Sequence, residues 1–336
     1  MIRAMYSGIT GLKANQTKLD VIGNNIANVG TTSFKTQRIR FQDMLSQSMS
    51  EATGPSTTLG GTNPSQVGLG TQVAGIDTIT TQGNLQPTSR NLDFAVDGSG
   101  YFVVAKGKTD NDIGITVKTD THTIDTENED EGNFQTFFTR DGSFTLDEYG
   151  QLINSDGMRV MGYAIDESTI QYDEKYKPFI EEAVNVNEEE INALEDKLVP
   201  LAIPDEVAGK KVRRFTVEKN GLIKVTLTDN TVRAIGQIAM ASFKNTAGLY
   251  KEGKNLYSVS ANSGEAVFRS GVGVEEAENN NELGYGNIVQ GALEMSNVDL
   301  AEQFTEMIVA SRAFQANGKI ITTSDEILQD LVNLKR

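Results

Sequence analysis

The sequence contains no cysteine, no tryptophan, one histidine and only 6 prolines in 336 residues. Without cysteine there can be no disulfide, thiolate metal site or cysteine nucleophile, and redox chemistry gives no clue to compartment. Any stability outside the cell must come from packing. The one histidine, His122, sits in a Thr- and Asp-rich run with no nucleophile elbow or second imidazole, and reads as a surface residue. Long apolar runs are also missing. No stretch approaches the ~18 residues of a membrane span, so no membrane insertion is expected. The opening MIRAMYSGITGLKANQ lacks the apolar centre of a secretory signal, so an exported chain would leave without cleavage. Positive charge is scarce, with 46 Asp and Glu against 30 Lys and Arg and a net charge of −16. A nucleic-acid partner, which needs a basic surface, is therefore not expected.

The search for chemistry returns little. Carboxylates cluster in ENEDE at 127–131, but general acid catalysis needs one held protonated in a partly buried pocket, and a solvated run offers none. Asp110, Asp112 and that cluster lack the ligand spacing of a calcium loop with its bidentate Glu. The pairs Gly98/Gly100, Gly271/Gly273 and Gly284/Gly286 do not lie between a buried strand and a helix, as dinucleotide binding requires, and read as turns. Asn15-Gln16-Thr17 matches a glycosylation sequon within a helical stretch, where a sugar would be awkward. The expectation is a non-enzymatic protein with no cofactor and no metal.

What the sequence does contain is two long amphipathic ends. Met5, Leu12, Leu19 and Ile26 recur every seven residues, flanked by Ile2, Ile9 and Ile22, and Asn24, Asn25, Asn28 and Gly30 supply a stop. At the other end Leu300, Met307, Phe314, Ile321 and Leu328 repeat the spacing, with Ala313, Ile320, Ile327 and Leu334 widening the stripe. Ser296 and Asp299 read as a capping box at its start. Each apolar face needs cover, since a buried Leu or Ile contributes roughly 1.5 to 3 kcal/mol. The simplest solution packs the two ends on each other. Glycines at 8, 11, 23 and 318 weaken helix continuity but permit close backbone approach.

Between the ends the pattern changes twice. Residues 31–90 are rich in Thr, Ser, Gly and Asn and read as an extended, mostly irregular connector. From 91 to 295 short alternating runs such as LDFAVDGSGYFVVA and GLIKVTLTDNTVRAIGQIAMASF read as a mainly-β domain, with hairpin-type turns at Asp97-Gly98, Asp141-Gly142 and Asn220-Gly221. Acidic insertions at 107–133 and 166–211 interrupt it. The second contains NEEEINALEDKL, which reads as a short helix capped by Asn187. The expected fold class is α+β with discontinuous nested domains. Terminal helices (1–30 and 296–336) pair as a coiled coil around the connector and the β domain.

The segment YSGITGLKANQTKLDVIGNNIANVGTTSFK at 6–35 strongly resembles the N-terminal motif of the bacterial flagellar rod and hook proteins. GNIVQGALEMSNVDLAEQFTEMIVASRAFQANGKIITTSDEILQDLVNL at 286–334 resembles the family's closing helix. FQDMLSQS, LDFAVDGSGYFVV and FTRDGSFTLDEYGQLINSDGMRVMGY resemble the hook subunit in order, which makes it the nearer fit, with the distal rod subunit as alternative. Ser33 departs from the family's commoner TTGF, and Phe304 interrupts its methionine-rich stretch. The resemblance implies a structural subunit of an extracellular flagellar tube that transmits torque in motility. Its implied partners are copies of itself, rod, hook cap and hook-filament junction proteins, and the flagellar export apparatus. The self-assembly residues it suggests are Met5, Ile9, Leu12, Leu19, Ile22, Ile26, Leu300, Met307, Phe314, Ile321 and Leu328.

Overall fold

The computed structural model describes residues 2–55, 57, 60–107, 114–125, 134–165, 170–172, 178–180, 183–186, 191–273 and 280–334. The expected acidic cluster 127–131, together with Asp110, Asp112 and the cap Asn187, lies outside these residues. The fold is mixed α+β, with a helix near each end and a β-rich middle. It divides into two compact units, residues 1–81 with 296–336, and residues 82–295.

The first unit is built on α1, Ile2–Ala27, and α2, Leu300–Asn333. Both run unbroken through their glycines. Asp299 caps α2, its side chain accepting hydrogen bonds from Ala301 N at 2.8 Å and Glu302 N at 3.3 Å. Ser296 takes no part in that cap. Its hydroxyl accepts from Val298 N at 3.3 Å, so the expected two-residue box reduces to Asp299 alone. The helices pack antiparallel. A Cβ on Gly8 would lie 3.4 Å from Ile321 and one on Gly11 2.6 Å from the Asn317 amide, while Lys18 reaches Glu306 at 3.5 Å and Asn25 reaches Gln303 at 2.9 Å.

The stretch expected as irregular chain is instead a paired ribbon. Gln37–Asp43 runs antiparallel to Thr71–Thr78, with a bulge after Arg40, and Ser46–Ser50 pairs with Ser65–Gly68. Polar Ser, Thr and Gln residues hid this from an apolar-alternation test, because neither face of the ribbon faces a core. Backbone pairing and the Arg40–Asp77 ion pair at 2.6 Å fix its register.

The second unit is a large antiparallel sheet. Its main path runs through Lys210–Val217, Leu222–Leu227, Val232–Ile238, Arg159–Ile165, Tyr101–Lys106, Gln135–Thr139 and Leu256–Ser258. Phe94, Phe102, Phe144, Leu152, Val160 and Ile238 fill one apolar cluster; Tyr101, Phe138, Tyr163, Phe243 and Phe268 fill a second. Phe138 meets Phe243 edge-on with ring centres 4.8 Å apart. The strands Phe94–Asp97 and Leu85–Pro87 pair with Asn287–Gln290 and Ala292–Glu294, so the incoming and outgoing chain are stitched together. A buried ion pair lies near that seam: Arg140 Nε to Glu294 Oε2 at 2.9 Å, with Arg140 also donating to Gly98 O at 2.7 Å and Glu294 Oε1 accepting from Gly83 N at 2.9 Å.

Four expectations change here. Of the three glycine turns, only Asn220-Gly221 closes a hairpin, joining paired strands at Val217 and Ile223 with Gly221 at φ +87°. The strands on either side of Asp97-Gly98 and of Asp141-Gly142 pair with other strands, so those turns move the chain between partners. At Gly98 a Cβ would sit 2.9 Å from the Gly286 Cα, a backbone contact that only glycine permits. From Ala193 on, NEEEINALEDKL is strand, Ala193–Pro200, paired with Arg159–Ile165, because sheet pairing overrides the helical preference of Ala, Leu and Glu. His122 is buried, at 5 % exposure and φ +51°, not at the surface. Hydrogen bonds from its N to Lys118 O and from Phe268 N to its O hold it in a tight loop against the second cluster.

Candidate assembly interface

The chemistry of the first unit lies in which helix faces are covered and which are not. On α2 the residues buried within one copy are Gln303, Ala310 and Ser324, with Asn317 half-buried between them. They are seven apart, and all are small or polar. On α1 the covered residues are Gly8, Ala14, Val21, Ile22 and Asn25. Small side chains let the two backbones approach, and the amides satisfy one another at the contact.

A polar network closes the root of the unit. Asn25 donates to Gln37 O at 2.8 Å and to Gln303 Oε1 at 2.9 Å, and accepts from Gln37 N at 3.1 Å, which ties the end of α1 to the first arm strand and to α2. Asn297 accepts from Thr36 N at 2.7 Å and donates to Ile79 O at 2.9 Å, so both arm strands are fixed to the segment entering α2. The buried Lys35 ammonium donates to Thr81 O at 2.8 Å. Buried amides without such partners would each cost about 1 to 3 kcal/mol.

Of the residues read from the heptads, the structure buries one. Ile22 is 2 % exposed; Met5, Leu12, Leu19, Ile26, Met307, Ile321 and Leu328 are half-buried; Ile9, Leu300 and Phe314 are exposed. Phe304, Ile308 and Leu331, which the seven-residue repeat missed, are exposed as well, as is Ile327 of the widened stripe. Ile308 is 63 % exposed and Val332 69 %. The arm adds Phe41, Met49 and Ile76, with Leu45 at 81 % exposure. This is far more apolar surface than scattered single residues, and a two-stranded ribbon is marginal by itself. Among the described residues no cluster of His, Asp and Glu fits a metal ion.

The helices and arm of this unit thus leave large apolar side chains exposed in one copy, without the residue cluster of a metal centre among the described residues, which fits a structural class of protein. Three family models match: "Flagella basal body rod protein" at residues 5–35, "Flagellar hook protein FlgE/F/G D1 domain" at 127–225, and "Flagellar basal body rod FlgEFG protein C-terminal" at 289–334. The flagellar basal-body rod protein FlgG of Bacillus subtilis is 40 % identical over 336 residues, covering all of both chains. The FlgG of Borreliella burgdorferi is 32 % identical over 342 residues, again covering both chains. The flagellar hook protein FlgE of that organism is 30 % identical over 477 residues covering both chains. The chain belongs to the flagellar hook and basal-body rod protein family, a family of structural proteins of the flagellum.

Proposed function

We propose that the chain is a distal rod subunit of the flagellar basal body rather than a hook subunit. The observation that carries this reading is length. The rod relatives align with the 336 residues of this chain over 336 and 342 positions, whereas the hook relatives need 477 and 501. The hook proteins thus carry additional sequence that has no counterpart here. Identity separates the two less than length does, at 40 % and 32 % for the two rod proteins against 30 % and 28 % for the two hook proteins. The nearer fit to the hook drawn from the sequence therefore gives way to its alternative.

In this reading the subunit polymerises with copies of itself and works by holding its shape under torque, with no catalytic step. The terminal helices meet those of neighbouring copies as a coiled coil, through Phe304, Ile308, Phe314 and the other apolar residues left open in one copy. The arm reaches a neighbour through Phe41, Leu45 and Met49. Such contacts join unlike patches and so propagate without closing, which gives an open helical tube. The chain is delivered by the flagellar export apparatus and meets the other rod subunits below and the hook above. Electron microscopy of basal bodies from cells lacking this chain tests the assignment. A rod subunit predicts structures that stop within the rod; a complete rod without a hook would contradict it.

A further inference from the structure

The chain passes between its two units twice, at residues 81–82 and at 295–296. Inside the second unit the incoming and outgoing chains pair at once. Leu85–Pro87 lies against Ala292–Glu294, Leu85 opposite Glu294 and Pro87 opposite Ala292, and among the described residues neither strand joins the large sheet. So short a ladder is weak by itself, and Pro87 has no N–H to give it. Farther in, Phe94–Asp97 and Asn287–Gln290 also form a ladder of their own, but Phe94, Val96 and Ile288 anchor that one in the first apolar cluster. The outer pair has less to hold it, since Leu85 and Leu293 are only half-buried.

Arg140 and Glu294 reach this outer pair from the sheet. Arg140 follows Gln135–Thr139, a strand paired on both sides within the large sheet. Its Nε donates to Glu294 Oε2 at 2.9 Å, its Nη2 donates to Gly98 O at 2.7 Å and to Val96 O at 3.3 Å, and its Cζ stands 5.7 Å from the centre of the Tyr101 ring. Glu294 turns its other oxygen to the incoming chain, accepting from Gly83 N at 2.9 Å, and Met295 N donates to Asn84 O at 2.9 Å. One guanidinium, fixed in the sheet, thus holds the outgoing strand through a carboxylate that also holds the incoming one. A buried ion pair is a poor source of stability, because desolvation offsets most of its attraction and apolar side chains of like volume often do as well. What it adds is direction, since charge-assisted hydrogen bonds select one geometry where apolar contact permits sliding.

We infer that Arg140 and Glu294 form a latch that fastens the incoming and outgoing chains to the large sheet as one connection, so that neither is displaced without the other. A subunit that keeps its shape under torque has a use for such a latch where the chain enters and leaves a unit. The latch itself is a property of the single chain, and it stands or falls whether or not that chain assembles. Opening it should free residues 82–87 and 292–296 together while the sheet stays closed, a local opening rather than global unfolding.

Hydrogen exchange of the full chain tests it, followed by mass spectrometry on peptides covering 82–87 and 292–296, with a peptide covering 101–106 as internal reference. The double variant Arg140→Met/Glu294→Leu replaces the pair with apolar side chains and leaves no buried charge unpaired. In it, exchange in both crossing segments should accelerate at least about tenfold more than in the reference, because the local opening no longer has to break the latch. Arg140→Lys keeps the charge but loses the planar fork, and should give a smaller acceleration confined to the same two segments. Equal acceleration of all three peptides would make the pair a general stabiliser and would overturn the latch. Unchanged exchange in the crossing segments, or acceleration in one of them alone, would overturn it too, since the two chains would then be held by other contacts or held separately. If the double variant does not fold, Arg140→Lys decides by the same comparison.

Discussion

The two units of this chain differ in the residues they mostly bury. Residues 82–295 enclose aromatic and aliphatic clusters in which Phe102, Phe138, Phe144 and Phe268 have no exposed surface. The helical unit covers Gly8, Ala14, Asn25, Gln303, Ala310 and Ser324 with only Val21 and Ile22 as larger apolar residues on α1, and leaves Ile308, Phe314 and Val332 outside. One unit encloses its large aromatic side chains in a single copy and the other leaves Phe304 and Phe314 exposed. In the β unit apolar burial drives folding; in the helical unit the inner contact is close-packed and hydrogen-bonded, while many large apolar side chains stay exposed in one copy.

The comparison breaks most readily at two phenylalanines. Phe138→Ala should cost about 3 to 5 kcal/mol in urea unfolding of the monomer, because it empties a site wholly inside the sheet. Phe314→Ala should cost less than about 1 kcal/mol in the same assay, because surface substitutions away from buried contacts change little. Equal losses would show that the helical unit also keeps its core inside.

Polar interiors extend the contrast. Glu294→Ala leaves the Arg140 guanidinium buried with its carboxylate partner gone and should cost about 3 to 5 kcal/mol. Asn25→Ala removes three hydrogen bonds at the root of the helical unit and should cost about 1 to 3 kcal/mol. Thermal denaturation followed by circular dichroism orders the two; a larger effect at Asn25 would invert the comparison.

The helical ends were legible in the sequence as a period of seven, but a period gives spacing and not phase. Leu300, Met307, Phe314, Ile321 and Leu328 are the visible heptad, whereas the seam within one copy follows Gln303, Ala310, Asn317 and Ser324, a row that no apolar scan selects. The ribbon at 37–78 was hidden for a related reason, since pairing without burial leaves no alternation of apolar and polar residues. Ala193–Pro200 looked helical because Glu, Ala and Leu favour helix locally, and only its pairing with a distant strand makes it extended. The lack of cysteine and of a second histidine could be read directly, because composition needs no geometry.

Alkaline pH separates the units more gently. Burial raises the pKa of Tyr163, Tyr257, Tyr101 and Tyr285 above the ordinary value near 10, and all four lie in the β unit. A raised phenol pKa means that the folded state holds the proton more tightly than the unfolded state. The resulting stability is complete below about pH 10 and is lost as pH climbs through the folded-state values. The β unit should therefore weaken above about pH 10. Tyr163→Phe should flatten that loss and add about 1 kcal/mol at neutral pH, since the Tyr163 hydroxyl is buried without a hydrogen-bond partner among the described residues. An unchanged alkaline profile in the variant would remove Tyr163 from this account.

The smallest expected effect is at Ser33, which follows α1 with φ +56° and is buried. A left-handed backbone costs an L-residue roughly 1 to 2 kcal/mol relative to glycine, so Ser33→Gly should stabilise the helical unit by about 1 kcal/mol. A loss of stability instead would mean that the serine hydroxyl outweighs the strain.

Electron microscopy of polymers formed by the full chain and by Phe314→Asp tests most directly whether the open helix face carries assembly. The account predicts ordered tubes from wild type, none from the variant, and the same β-sheet circular dichroism in both. Normal tubes from a folded Phe314→Asp chain would contradict it.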